Sequence, residues 1–316
     1  MNLRGSPRAV LDALSSTIVG QETVVESLVL ALLANGHVLL EGPPGLAKTL
    51  ACRALAAALS GAFSRIQFTP DLLPADIVGT RIFDQRDAAF RTVIGPIFAN
   101  VVLADEINRA PAKVQSALLE AMQERQVTIA HQSHALPDPF IVLATMNPLD
   151  SEGTYALPYA QMDRFLLKVN VNYPSHAQEL EILERFAVRT TTPTEAVATV
   201  EDVVAWREAA HAVHLDDKLK RYIVDLVTAT REPVRVRSDV APYIDGGASP
   251  RATLALAFVS RAKALLDNRD FTLPDDVRAV APAVLRHRVA FSYRTATENV
   301  DREDVLARLI ATVPAP

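Results

Sequence analysis

Strand-length apolar runs alternate with helical segments between Val38 and about Tyr173, and this rhythm constrains the fold more than any other feature of the chain. The runs are found at 38–40, 65–68, 101–104, 140–145 and 166–171. Residues 112–125 carry apolar side chains at the spacing of one helical face. Such continuously apolar strands, separated by helices, are typical of a parallel sheet that is covered on both sides. We therefore predict an α/β fold with a five-stranded parallel sheet and helices on both faces.

The pattern changes after Pro174, and the rest of the chain is predicted to be all-helical. Helical periodicity covers 203–213, 218–230, 277–285 and 303–313. Ser249 and Pro250 combine an N-cap residue with a proline at the first helical position, which predicts a helix from there to about Asp267. The Thr/Pro/Ala-rich stretch 190–199 is the predicted linker. We expect two domains, an α/β domain over 1–186 and a helical domain over 187–316.

Composition excludes several classes of protein. The formal net charge is −5, and the first 186 residues carry all of it, with 14 basic and 19 acidic residues. An acidic chain argues against binding nucleic acid through a generally basic surface. A single cysteine, Cys52, excludes an intramolecular disulfide and a cysteine-based zinc site. No signal peptide is visible and no apolar run approaches membrane-spanning length, so we expect a soluble cytoplasmic protein with no membrane span.

A phosphate-binding loop is predicted between the first strand and the helix that follows it. The sequence from Gly42 to Thr49 matches the Walker A pattern except that Ala47 stands where the pattern has glycine. Glycines let the backbone point its N–H groups at phosphate oxygens, and the helix N-terminus adds positive potential. Lys48 would reach the β- and γ-phosphates and Thr49 would hold Mg²⁺. The predicted binding residues are Gly42, Pro43, Pro44, Gly45, Leu46, Ala47, Lys48, Thr49 and Leu50.

Two acidic residues follow the third apolar strand, as in a Walker B motif. Asp105 would serve the metal together with Thr49, and Glu106 would act as the general base that polarises the attacking water. An acidic strand-to-loop turn is the alternative interpretation. The phosphate loop about sixty residues upstream makes that alternative the weaker one.

In the phosphate-binding loop and the acidic pair, the chain resembles the MoxR family of AAA+ ATPases. Four further stretches carry the resemblance: Val19-Gly20-Gln21, 144–148, 157–165 and 247–251. The resemblance implies a P-loop AAA+ core with a C-terminal helical lid, ATP or ADP and Mg²⁺ as cofactors, and a homo-oligomeric ring, most often a hexamer.

The resemblance also implies roles for individual residues. Val19 and Gly20 match the segment that lines the adenine pocket, and Asn147 matches sensor 1, which holds the attacking water. Arg164 matches the arginine finger that acts on the neighbouring subunit's nucleotide, with a surface arginine paired to Asp163 as the alternative. Arg251 matches sensor 2. Arg109 could face a subunit interface, and the sequence leaves this open.

Two insertions are identified by the same resemblance. Residues 71–96 match a helix-2 insert, and residues 126–139 match the pre-sensor-1 hairpin, with its polar turn expected at 131–134. Both contain few basic residues, so nucleic acid is an unfavoured partner.

The function expected from the motifs and the resemblance is ATP hydrolysis that drives the remodelling or maturation of partner proteins. The resemblance implies a protein client, with the von Willebrand A-domain proteins as its class. Two alternatives remain open at this point: a nucleic-acid motor or loader on the same fold, and the motor subunit of a chelatase-like enzyme.

Overall fold

The structure is a computed structural model that describes residues 5–148, 154–188, 194–236 and 239–316. The described residues divide into two compact units. The first unit contains 1–157 and 169–205, and the second contains 158–168 and 206–316. This division differs from the predicted domain boundary after residue 186 in two places. The described residues of 187–205 belong with the first unit, and the short segment 158–168 belongs with the second.

The elements from the N-terminus to the fourth strand of the main sheet are α1 (Pro7–Thr17), α2 (Glu22–Leu33), β1 (Val38–Glu41), α3 (Lys48–Ala58), β2 (Phe63–Gln67), α4 (Pro74–Val78), β3 (Gly79–Asp84), β4 (Ala89–Ile94), β5 (Val101–Asp105), α5 (Ala112–Glu124), β6 (Gln126–Ile129), β7 (Gln132–Ala135) and β8 (Ile141–Met146). The remaining elements are α6 (Tyr159–Met162), β9 (Leu167–Asn170), α7 (His176–Leu183), α8 (Val200–Ala212), α9 (Asp217–Arg231), α10 (Pro233–Val236), β10 (Ile244–Gly246), α11 (Pro250–Leu266), α12 (Pro274–Leu285), β11 (Ala290–Phe291), α13 (Arg294–Thr297) and α14 (Arg302–Thr312).

The main sheet has five strands in the order β2-β5-β8-β1-β9, which confirms the predicted sheet. The pairs β2–β5, β5–β8 and β8–β1 are parallel. Consecutive residues of β1, β5 and β8 are buried, so both faces of these strands are covered. The carboxyl ends of β5, β8 and β1 therefore meet at one edge. Ligands of open α/β sheets bind at such an edge.

Both predicted insertions contain β-hairpins. In 71–96, the helical turn α4 precedes the antiparallel pair β3–β4. Gly79 and Gly95 lie at its base, where a Cβ atom on either would overlap backbone atoms of the opposite segment. In 126–139, β6 and β7 form the predicted hairpin. Its turn lies at Ala130 and His131, both at positive φ, one step earlier than the predicted polar turn.

The second unit is helical, as predicted, and its helices surround a buried apolar core. Helix α11 packs on α9 and α12, and α12 packs on α14. Ser249 caps α11 as expected, because its hydroxyl accepts a hydrogen bond from the backbone N–H of Arg251 at 3.2 Å. A short antiparallel pair of β10 and β11 and an isolated β-bridge between His214 and Phe271 add to the helices.

The predicted linker 190–199 lies partly outside the described residues. Its described part is held on the first unit: the N–H groups of Val197 and Ala198 both donate to the carbonyl of Ala58 at 3.0 Å. Among the helices in the described part of the chain, none is long and apolar enough to cross a membrane.

Candidate nucleotide site

The loop between β1 and α3 is curled by its own backbone geometry. Gly45 has φ 82°, and Ala47, the N-cap of α3, has φ 55°. Ala47 is the residue at which the sequence departs from the Walker A pattern. A non-glycine residue in this left-handed conformation costs about 1–2 kcal/mol. Gly42 is buried against the backbone of Val171, where a side chain has no room. The loop therefore keeps the shape of a phosphate cradle and stores strain at Ala47.

The ammonium group of Lys48 points back into this loop. In the described structure its Nζ donates to the carbonyl of Gly42 at 2.5 Å. Burial lowers the pKa of Lys48, and the nearby carboxylates of Asp105, Glu106 and Glu41 oppose the shift. Lys48 thus lies between the loop and the acidic pair, as the motif predicts.

The Asp105 carboxylate, at the end of β5, uses both of its oxygens. Oδ1 accepts a hydrogen bond from the hydroxyl of Thr145 at 2.7 Å. Oδ2 accepts from the guanidinium of Arg65, whose Nη2 lies 2.7 Å away and whose Nε lies 3.1 Å away. Asp105 is consequently fixed in orientation by two neighbouring strands, β8 and β2.

The next residue, Glu106, has a left-handed backbone, with φ 56° and ψ 50°. Its N–H donates to the hydroxyl of Thr145 at 2.8 Å. Its Oε2 accepts from Gln67 Nε2 at 3.0 Å and from Arg109 Nη1 at 3.2 Å. A strained backbone held by a buried hydroxyl is typical of a functional position. Arg109 contacts Glu106 here, and its place at a subunit interface stays a prediction.

These residues surround one cleft of about 430 Å³. Its walls comprise Gly42, Pro44–Leu50, Arg65, Gln67, Asp105, Glu106, Thr145 and Asn147. The structure thus brings together most of the predicted loop residues, both acids and the predicted sensor Asn147. Pro43 belongs to the same loop but is not one of the residues that line the cleft.

Three lining residues were not predicted: Arg65, Gln67 and Thr145. Arg65 and Gln67 alternate with buried Ile66 on β2, so both side chains lie on the same face of the strand. The alternation of these two polar residues with apolar Ile66 was the available signal. Thr145 ends an apolar run, and only the pairing of β8 with β5 shows its role.

Val19 and Gly20 are not among the residues that line the cleft. Gly20 packs closely on Gln178 and Pro174, and the side chain of Gln21 donates to the carbonyl of Asn172 at 3.0 Å. The segment is therefore fixed against the chain that follows β9, within the first unit. Its role at the adenine stays a prediction.

Arg164 and Arg251 both belong to the second unit, where Asp163 lies between them. The Arg251 Nη1 is 3.8 Å from Oδ2 of Asp163. Asp163 makes its shorter ion pair with Arg288, whose Nε lies 2.8 Å from Oδ1. The alternative in which Arg164 pairs with Asp163 is therefore not what the structure shows. No hydrogen bond or ion pair joins the Arg164 side chain to another residue within the described ranges.

Two buried residues after α12 complete this cluster. Burial lowers the pKa of Arg288, against the opposing effect of Asp163. Burial also holds the pKa of His287 well below 6.5, with the charge of Arg288 adding to the effect. His287 therefore stays neutral, with its Nε2 3.0 Å from the carbonyl of Phe165.

Comparison with known proteins agrees with this architecture. The family described as "ATPase family associated with various cellular activities (AAA)" matches residues 37–167, and the AAA lid domain matches 236–309. The protein "Chaperone MoxR1" of Mycobacterium tuberculosis is 49% identical over 302 residues, which cover 95% of this chain and 79% of that protein. "Protein MoxR" of Paracoccus denitrificans is 34% identical, over 96% of this chain and 94% of its own length.

The chain belongs to the MoxR family of AAA+ ATPases.

Structural similarity extends over nearly the whole of this MoxR-family chain. The crystal structure of a candidate ATPase from Cytophaga hutchinsonii superimposes with a TM-score of 0.90 at 42% identity. The match covers 97% of this chain and 94% of the other. Membership of the MoxR family implies that this protein binds nucleotide, and it supports a chaperone-like description.

Proposed function

We propose that this chain hydrolyses ATP to ADP and phosphate in a Mg²⁺-dependent reaction, and that it does so as a ring that remodels client proteins. The observation that carries the proposal is the meeting of the Lys48 loop, Asp105 and Glu106 in a single cleft. A phosphate-binding loop alone would suit many proteins. An oriented carboxylate facing that loop adds the means for hydrolysis.

The residues of the cleft fit a nucleotide triphosphate with its metal. Backbone N–H groups of the loop and the N-terminus of α3 suit phosphate oxygens, and Lys48 adds a full positive charge. The hydroxyl of Thr49 and the carboxylate of Asp105 are the oxygen ligands that would hold Mg²⁺, directly or through water. When bound, this ion supplies charge neutralisation between the phosphates.

Glu106 is the proposed general base, because its carboxylate lies at the cleft and its backbone is held by Thr145. Gln67 and Arg109 both bond to its Oε2, so proton acceptance requires that at least one of them move or release it. Asn147 follows β8 and can hold the attacking water. We assign Val19 and Gly20 to the adenine and Arg251 to the sensing of nucleotide.

The ring completes the site in this proposal. Arg164 would supply its charge to the nucleotide of the next subunit, as trans-acting arginines do in other nucleoside triphosphatases. Its guanidinium has no partner within the described residues, which leaves it available for that role. We propose a hexamer, the ring that the family resemblance implies.

Client contact is assigned to the β3–β4 hairpin. Its exposed apolar side chains include Phe83 and Phe90, whose rings meet edge to face at 5.2 Å between centroids. Isolated surface aromatics are ordinary, whereas a paired set on a projecting hairpin is typical of a binding surface. The client is a protein, and a von Willebrand A-domain protein is the class implied by the family resemblance.

The test measures ATP turnover, ATP binding and particle size on the same set of variants. Glu106→Gln should bind ATP normally and lose at least about 100-fold in kcat, because general bases contribute about 10²–10⁴-fold. Lys48→Ala should lose binding or turnover. Glu120→Gln, a matched change of an exposed glutamate on α5, should behave as wild type. Wild-type turnover in Glu106→Gln would remove Glu106 from the mechanism.

Ring assembly and client binding are tested with the same material. ATP-loaded Glu106→Gln should form rings, measured by light scattering, and retain a client recovered from native lysate. Mixed rings of Arg164→Ala and Lys48→Ala subunits should regain part of the lost turnover. In such a ring, an Arg164→Ala subunit binds ATP with its intact Lys48, and a neighbouring Lys48→Ala subunit supplies the intact Arg164. Absence of any recovery in rings shown to be mixed would contradict an arginine acting in trans.

A further inference from the structure

The carboxylate of Asp163 lies at the centre of a hydrogen-bond network inside the second unit. Oδ1 accepts from Arg288 Nε at 2.8 Å, and Oδ2 accepts from the hydroxyl of Ser249 at 2.8 Å. The guanidinium of Arg251 lies 3.8 Å from the same Oδ2. The Asp163 carboxylate thus bonds to Ser249 and Arg288, which lie 86 and 125 residues after it in the sequence.

Arg288 fixes the backbone on either side of Arg164. Its side chain is 3% exposed, and it donates to the carbonyls of Phe165 at 2.6 Å, Leu166 at 3.0 Å and Asp163 at 3.4 Å. A buried guanidinium is tolerated only when its donors find acceptors, and the planar fork of arginine suits several at once. Because residues 163, 165 and 166 are all held, the backbone of Arg164 has little freedom.

The same carboxylate controls the start of α11. Ser249 is the N-cap of that helix, and its hydroxyl donates to Asp163 while its oxygen accepts from the N–H of Arg251. The hydroxyl can serve both only in one orientation, so Asp163 sets the geometry of the cap. The first turn of α11, which carries Arg251, is positioned through it.

We propose that Asp163 and Arg288 are positioning residues that hold Arg164 and Arg251 in one fixed arrangement. The inference rests on the proposed function, which assigns those two arginines to the nucleotide. Asp163 and Arg288 touch no nucleotide in this scheme and act only through their neighbours. Their loss misplaces two cationic groups at once, and catalysis is sensitive to displacements of about 1 Å.

A second ion pair in the same unit provides a matched control. Arg269 and Asp276 form a bidentate pair, with Nη1–Oδ2 and Nη2–Oδ1 distances of 2.7 and 2.6 Å. Asp276 is buried and also bonds the N–H of Leu273 at the start of α12. It therefore resembles Asp163 in burial and bonding, but within the described ranges it makes no hydrogen bond or ion pair to Arg164 or Arg251.

The experiment compares Asp163→Asn with Asp276→Asn in the full chain. ATP turnover, nucleotide affinity and hydrogen–deuterium exchange of the segments around 164 and 251 are measured for each. Asp163→Asn should lose at least about tenfold in kcat with the ATP dissociation constant changed by less than about threefold, and exchange should rise in both segments. Asp276→Asn should keep kcat within about twofold and leave both segments protected.

Rescue by conservative variants separates positioning from general stability. Asp163→Glu should recover part of the turnover because it retains a carboxylate, whereas Arg288→Lys should not, because an ammonium group cannot reach several acceptors in one plane. Equal loss of turnover in Asp163→Asn and Asp276→Asn would overturn the proposal, as would unchanged exchange around 164 and 251. A wild-type chain without ATP turnover would instead refute the proposed function, while the exchange comparison would still decide whether Asp163 orders these segments.

Discussion

The hydroxyl of Thr145 makes two bonds that no other group in the cleft can replace. It donates to Asp105 Oδ1 at 2.7 Å and accepts from the N–H of Glu106 at 2.8 Å, and the residue is 2% exposed. Thr145→Val keeps the shape of the side chain and removes both bonds. The bond to the charged carboxylate contributes about 2 kcal/mol, and an orphaned N–H costs about 2 kcal/mol. The additional buried methyl group offsets about 1 kcal/mol of this, so the net loss is about 3 kcal/mol.

Scanning calorimetry measures this loss. For a unit of this size, about 3 kcal/mol corresponds to a decrease in Tm of about 6–12 °C. Thr145→Ser is the matched control, because it retains the hydroxyl and loses one methyl group, which costs about 1 kcal/mol. ATP turnover should fall in Thr145→Val, since Glu106 loses the bond that holds its left-handed backbone, and should persist in Thr145→Ser. A valine variant as stable as the serine variant would refute the view that these two bonds hold the acidic pair.

Two further predictions concern conformation and pH. Ala47→Gly should retain nucleotide affinity and match or slightly exceed wild-type stability. Ala47→Val should lose both affinity and stability, because φ 55° suits glycine and not a β-branched residue. Thermal melts with and without ATP measure both properties, and a valine variant more stable than the glycine variant would indicate that the loop relaxes to negative φ. Since the pKa of His287 lies well below 6.5, the unfolded chain takes up a proton that the folded chain does not. Stability should therefore fall as pH decreases below about 6.5, by up to about 1.4 kcal/mol per pH unit. The His287→Gln variant should lack this part of the acid dependence in urea titrations at pH 7 and pH 5, and equal slopes in both proteins would contradict the assignment.

The main sheet was predictable because its strands are buried on both faces. Continuous apolar runs mark such strands directly, and the glycines and Lys48 of the loop mark the connection between the first strand and its helix. Local sequence was sufficient for both. The same holds for the N-cap Ser249, whose bonding partner is two residues away.

The β3–β4 hairpin could be identified as an insert but not as a pair of strands. Its residues are almost all exposed on both faces, so no alternation of buried and exposed positions signals a strand. Its form depends on close backbone approach at Gly79 and Gly95, sixteen positions apart, which the sequence shows only as two glycines.

Contacts across the sheet and within the second unit were beyond sequence reasoning for a different reason. Arg65 reaches Asp105 only because β2 pairs with β5, and the order of strands in a sheet cannot be predicted from the local sequence pattern. Asp163 lies next to Arg164 in sequence, which suggests a local ion pair. Asp163 bonds instead to Arg288. The guanidinium of Arg288 is buried, so it needs a protein partner in place of water.

The two ion pairs differ in a way that bears on how the protein responds to nucleotide. In the Arg65–Asp105 pair the arginine side chain is 47% exposed, and such pairs contribute about 0–1 kcal/mol. A metal ion can therefore replace Arg65 as the partner of the Asp105 carboxylate at little cost in free energy. In the Arg288–Asp163 pair both side chains are largely buried, and removing one partner of a buried pair costs about 3–5 kcal/mol. Nucleotide binding should consequently rearrange Arg65 in the cleft, while Asp163 and Arg288 keep their contacts to each other.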